Sequence, residues 1–188
     1  MRKSLPAVLA ALFLLLELAA TELEILEIKN DNTFDQVINY WCANEGSMKQ
    51  RPGGSVSREP DGRTGSCMKL SNTEQSVTAV YSQSLIPVDS SEDVFKLSFQ
   101  VRGKGKFQVG FYTYSKEKKF TSVFFAPATL LDSSTWVSRD YTIPAANLKG
   151  DVGFVRIALE VPPGLAELFF DDFSGRREAP LPELEPKP

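Results

Sequence analysis

The chain has 188 residues with 21 basic and 24 acidic side chains, a net charge of −3, and no histidine. Without histidine, Ser-His-Asp and Cys-His catalysis are excluded and most zinc chemistry falls away. An acidic balance argues against a nucleic-acid partner, and 42 % hydrophobic residues suffice for the core of one domain.

The first twenty residues read as a secretory signal: basic Arg2 and Lys3, an apolar run from Leu5 to Leu16, then small Ala19 and Ala20 before Thr21. The run is too short for a comfortable membrane span. Glu17 and Leu18 are imperfect for such a signal, and no cysteine follows where a lipid would attach. The expectation is an exported protein, secreted or periplasmic, with no transmembrane anchor. Removing residues 1–20 leaves 19 basic and 23 acidic residues, a net charge of −4.

The mature chain opens with a strand in ELEILEIKN, where the alternation slips once between Ile25 and Leu26. NDNTFDQVINYWCAN follows, turn formers first and then the apolar cluster Val37, Ile38, Tyr40 and Trp41. The stretch from Glu45 to Arg63, rich in Gly, Ser, Pro and Arg, reads as a loop. Cys42 and Cys67 would meet an oxidising compartment, where a disulfide is the commoner state; two separate buried thiols are the other arrangement.

Strand signals then recur at short intervals: CMKL at Cys67, SVTAVYSQSLIPV from Ser76, KFTSVFFA from Lys119, WVSRDYTIP from Trp136, FVRIALEV from Phe154 and AELFFDDF from Ala166. The clearest is VFKLSFQVRGKGKFQVGFYTYS, Val94 to Ser115. Its apolar residues alternate in two runs, Phe95-Leu97-Phe99-Val101 and Phe107-Val109-Phe111, around Gly103-Lys104-Gly105. The pattern predicts a β-hairpin with Gly105 supplying the left-handed residue and Val101, Phe99 and Leu97 facing Phe107, Val109 and Phe111. Its other face would carry Lys96, Gln100, Arg102, Gln108, Tyr112 and Tyr114 over a low floor of Ser98 and Gly110. No segment keeps helical periodicity, so the fold class is all-β, a β-sandwich jelly roll of two antiparallel sheets spanning 21–175. The Pro-rich remainder, 176–188, reads as a flexible tail.

The ordered set NDNTFDQ, a Trp soon after, TGSCMKL, FKLSFQVRGKGKFQVGFY, STWVSRDYTIP, VRIALEV and FFDDFSG resembles carbohydrate-binding modules of the galactose-binding-like jelly-roll type, relatives of the cellulose- and xylan-binding modules. The resemblance runs from about Asn30 to Gly175 and implies fold more strongly than function. It implies a structural Ca²⁺ held by Asp35 and by Asp171 or Asp172, with carbonyls near Thr33 and Ser66. This chain departs from the family's turn by inserting Thr33 and placing Asp35 where a Glu is usual. Without calcium, Asp171 and Asp172 would end a strand and bond to turn amides. The resemblance also makes Trp136 a packing anchor in the core.

Sugars present flat C–H faces and a rim of hydroxyls, so a glycan site needs exposed aromatic faces beside amides and charges. Gln100, Gln108, Tyr112 and Tyr114, with Lys96 and Arg102, are the expected set for a polysaccharide or glycan. The plainer reading is an ordinary polar sheet face. Trp41 and Tyr81 are expected inside, and one of Phe124 and Phe125 outside as a secondary platform. Arg156 and Glu160 alternate with Val155, Ile157 and Leu159, leaving them for the ligand face or for solvent. No close pair of carboxylates suggests a glycosidase, so a binding module is favoured over an enzyme. A protein partner docking through the same face or the tail is the alternative.

Overall fold

Period-two alternation is satisfied by strands that bury one face, and the computed structural model is built almost wholly from them. It describes residues 23–27, 41–43, 54–73, 75 and 77–180, with 23–27, 41–43 and 180 described by backbone alone. Its strands are β1 (Leu23–Glu27), β2 (Trp41–Ala43), β3 (Ser55–Glu59), β4 (Cys67–Asn72), β5 (Thr78–Ser82) and β6 (Ile86–Pro87). They continue with β7 (Val94–Tyr114), β8 (Phe120–Phe125), β9 (Thr129–Pro144), β10 (Phe154–Val161) and β11 (Ala166–Pro180). The fold is the expected antiparallel β-sandwich jelly roll. One sheet runs β9-β7-β11-β4-β3, with β1 on the far end of β11. The other runs β2-β5-β10-β7-β8, with β6 at the start of β10.

The expected hairpin is not formed. Val94–Tyr114 is one continuous strand that leaves the first sheet and enters the second. Val101 lies opposite Val137 and Phe170 rather than Phe107, and Phe107 lies opposite Thr129. The alternation could not separate the two solutions. A three-residue loop and an unbroken strand both keep residues 95, 97, 99, 101, 107, 109 and 111 on the inner side. The glycines serve a bend instead of a turn: Gly103 has φ +116°, and a Cβ there would stand 2.1 Å from the Glu167 carbonyl oxygen.

A second irregularity shapes β11. Its register shifts between Asp171 and Ser174, and Asp172 takes φ 48°, a left-handed conformation that Asp tolerates better than most residues. The bulge turns the inward set from Leu168 and Phe170 to Phe173, Arg177 and Ala179. The strand then pairs with β1 and with the start of β7 as far as Pro180, so the boundary expected at Gly175 is passed by five residues that belong to a strand. Residues 181–188 of the tail and 1–20 of the signal lie outside the described residues.

Between the sheets sits an aromatic core. Phe95 of the first sheet and Phe111 of the second meet with ring centres 4.8 Å apart. Phe99 touches Phe107, Phe170, Phe173 and Tyr141 at 5.7–5.9 Å. Truncating such a ring to alanine costs about 3–5 kcal/mol. A buried polar link closes one end: Arg177 donates to the Pro87 carbonyl at 3.0 Å and to Asp89 Oδ2 at 2.6 Å, with the fully buried Asp93 carboxylate 3.7 Å away.

Candidate functional site

Because β7 crosses between sheets, the residues expected on one face are divided between two. Lys96, Gln100 and Arg102 point outward from the first sheet, whereas Gln108, Tyr112 and Tyr114 point outward from the second. The core separates these faces, so the six residues do not form one site. Ser98 lies opposite Asp140 and Ser174 on the first sheet, far from Gly110.

On the second sheet, three side-by-side rows replace the expected arrangement. Tyr81 of β5 lies opposite Ala158, Ala158 opposite Gly110, and Gly110 opposite Phe125. Arg156 lies opposite Tyr112, and Tyr112 opposite Val123; Phe154 lies opposite Tyr114, and Tyr114 opposite Phe120. The floor between the taller rings is therefore Ala158 and Gly110. A Cβ on Gly110 would fall 1.9 Å from the Phe124 carbonyl oxygen, so the absence of a side chain is what lets β8 lie alongside.

The rings form a contiguous set. Tyr81 and Tyr112 have centres 5.5 Å apart, Tyr114 and Phe120 6.0 Å, and Tyr112 lies 6.2 Å from Phe120 and 6.3 Å from Phe125. Tyr81, Tyr112, Tyr114, Phe120 and Val123 line an open groove of about 320 Å³. Tyr112 and Tyr114 are half-buried, and Phe120 is 60 % exposed. The Arg156 guanidinium sits 5.2 Å from the Tyr81 ring centre and 5.5 Å from that of Tyr114. Along the next row Gln108 Nε2 donates to Glu160 Oε1 at 2.7 Å. The β7–β8 turn at the groove's end exposes Lys116, Lys118 and Lys119, with Lys118 Nζ 5.5 Å from the Phe154 ring.

Tyr81 was expected in the core. It lies outside because Val80 and Ser82, both fully buried, are the inward residues of β5; neighbouring Ala79 is apolar too and hid the parity. Phe125 is the outward ring of its strand, while Phe124 packs partly against the core, as the crowding of that strand predicts.

The outward face of the first sheet is built differently. The Arg102 guanidinium is held between Trp136 (5.0 Å) and Phe169 (4.5 Å), and its Nη2 donates to the Asp61 carbonyl at 3.1 Å. Trp136 is thus a half-buried outer residue rather than a core anchor. Lys96 pairs with Glu178 at 2.8 Å, and its ammonium holds the Glu178 carboxyl below the usual range. Trp41 and Cys42 lie on β2, whose side chains are outside the described residues. Cys67 is a buried thiol, free among the described residues, and the side chain of its expected partner Cys42 lies outside them; burial pushes the Cys67 pKa up to about 11.

Asp171 and Asp172 are engaged by the turn before β4. The backbone amides of Arg63 and Thr64 donate to Asp171 Oδ2 at 2.6 and 3.1 Å, and the Asp172 amide donates to Oδ1 at 2.8 Å. Burial pushes the Asp171 carboxyl up, and these three amides pull it back. Asp172 accepts from the Thr64 hydroxyl at 2.6 Å and pairs with Arg63. A shell of N–H and guanidinium donors suits carboxylates and does not fit a cation. Asp35 and Thr33 lie outside the described residues, and among the described ones no three acidic, Cys or His side chains gather as a metal cluster.

No protein family matches the sequence, and no curated protein matches it either. Solved structures do match in shape. The CBM22-1 xylan-binding domain from Paenibacillus barcinonensis superposes with a TM-score of 0.58 at 14 % identity, covering 85 % of this chain and 97 % of that one. A mutant of the family 29 module CBM29-2 complexed with mannohexaose gives 0.51 at 14 % identity, covering 82 % and 92 %. The chain also matches an arabinose-bound α-L-arabinofuranosidase with a TM-score of 0.56 at 14 % identity, but spans only 27 % of that protein, and 21 % of a bacteriophage tailspike domain. Most neighbours are carbohydrate-binding modules, and the fold of this chain is theirs.

Proposed function

We propose that the chain is an exported, non-catalytic carbohydrate-binding module that holds a polysaccharide in the groove on the second sheet. The observation that carries this reading is the set of rings Tyr81, Tyr112, Tyr114 and Phe120 around a floor of Ala158 and Gly110. Stacked against ring faces, the C–H side of a pyranose loses water without losing hydrogen bonds. Gln108, Glu160 and Arg156 lie beside the rings to meet its hydroxyls. Such a mix of apolar lining and a few placed polar groups is the usual composition of a ligand site.

The non-catalytic part rests on the carboxylates. Hydrolysis of a glycosidic bond needs an acid and a partner carboxylate facing it. Here Glu160 is bonded to Gln108 along the groove, and no second acid is paired with it there among the described residues. The test is affinity electrophoresis and calorimetry of the purified protein against xylans, mannans, glucans and uronate-containing polymers, with reducing-end assays run in parallel. Retardation without released ends supports the reading. Failure to bind any polysaccharide overturns the binding claim, and released ends overturn the non-catalytic one.

A further inference from the structure

Resting on that reading, we propose that the polysaccharide is acidic, and that Arg156 receives the carboxylate of a uronic acid residue. Arg156 differs from the cations that have a carboxylate partner. Arg63, Lys69, Lys96, Lys104, Arg176 and Arg177 each pair with a carboxylate within 3 Å. Arg102, the other arginine stacked on rings, donates to a backbone carbonyl. Arg156 is held between Tyr81 and Tyr114 and makes no hydrogen bond or ion pair among the described residues. Its Nε is buried without a partner, and its guanidinium lies against two of the rings that line the groove.

A guanidinium set among aromatic rings has lost part of its hydration without gaining an anion. A neutral sugar could be met by amide side chains alone, with no such loss. The fork of an arginine instead matches the two oxygens of a carboxylate. Charge around the groove agrees. Exposed Lys118 reaches the Phe154 ring at the end formed by Tyr114 and Phe120, while Glu117 is hydrogen-bonded to Ser115 at 2.7 Å and Glu160 to Gln108 at 2.7 Å. On a chain of net negative charge, Arg156 and Lys118 are thus two cations set against the rings of this face.

The test is calorimetry with polygalacturonate and glucuronoxylan, each intact and after carboxyl reduction to the neutral polymer, at low and high salt. A sulfated galactan serves as the other anionic arm. One charge-assisted bidentate contact predicts that reduction of the carboxyls weakens binding about tenfold to a hundredfold. Arg156→Gln should abolish that preference, and Arg156→Lys should restore only part of it, because the charge returns without the fork. Equal affinity for intact and reduced polymers overturns the inference while the glycan-binding reading stands. Preference for the sulfated polymer over both uronates also overturns it. Binding to none of the polymers, neutral or acidic, removes the glycan reading itself. Should the variants fail to fold, the comparison of intact with reduced polymer on the wild-type chain decides alone.

Discussion

Replacing Gly110 with alanine tests the link between the sandwich and its groove. An added Cβ would stand 1.9 Å from the Phe124 carbonyl oxygen and 2.7 Å from the Phe125 Cα, both backbone atoms that no rotamer change can move aside. To reach even 3.0 Å the two strands must separate by about 1.1 Å or the ladder must twist. Overpacking of this kind costs about 1–3 kcal/mol. In a domain of this size each kcal/mol lowers Tm by roughly 2–4 °C, so the expected fall is between about 2 and 12 °C. The strand displaced is β8, which carries Phe120, Val123 and Phe125, one wall of the groove. Polysaccharide affinity should therefore fall together with Tm, with most of the affinity loss remaining well below the melting transition. Scanning calorimetry and titration of the same preparation read both. A Gly110→Ala protein with unchanged Tm and unchanged affinity would refute the placement of β8 against β7.

Removing Arg177 by Arg177→Met leaves the fully buried Asp93 carboxylate without its cation, and breaking a buried pair of this kind costs about 3–5 kcal/mol. Urea denaturation reads it, and a loss under about 1 kcal/mol would contradict the buried pairing. For Cys67 the sign follows from its raised pKa. Between pH 9.0 and about 11 the unfolded thiol has lost a proton that the folded one keeps, so the wild type loses stability as pH rises, by about 3 kcal/mol at the upper end relative to Cys67→Ala. Equal pH profiles for the two proteins, or a missing Cys67 thiol in denatured, unreduced protein, would overturn the free buried thiol. Because Asp171 and Asp172 already accept from amides, a hydroxyl and Arg63, calcium and EGTA should leave Tm within about 1 °C of each other. A rise of several degrees in millimolar calcium would show that Asp35 completes a site.

Much of the architecture could be read from periodicity, because a strand with one buried face must alternate. The inward residues of β7 follow from that alone. What alternation could not reveal was whether the chain turns back at Gly103, since hairpin and continuous strand share one parity. That single ambiguity scattered the expected site. In a hairpin Lys96 would stand opposite Tyr112, with Gln100 and Arg102 on the same face; in a strand that changes sheets all three lie across the core from it. The partners of Tyr112 and Tyr114 are non-local, Tyr81 from β5 and Arg156 from β10, and pairing between distant strands leaves no local mark. Tyr81 was further masked by two consecutive apolar residues before it. The bulge at Asp172 hid another change, reversing the inward set so that a charged residue, Arg177, lies in the interior of a stretch that reads as a solvated tail.

The claim that matters most is which face binds. Affinity for the best polysaccharide from the screen should be compared for Tyr112→Ala combined with Tyr114→Ala and for Trp136→Ala, each shown to melt cooperatively. Rings that anchor a ligand typically contribute 2 kcal/mol or more, so the tyrosine pair should lose at least about thirtyfold in affinity while Trp136→Ala stays near wild type. The opposite pattern, with binding lost in Trp136→Ala and kept in the tyrosine pair, would place the ligand on the first sheet and contradict the account.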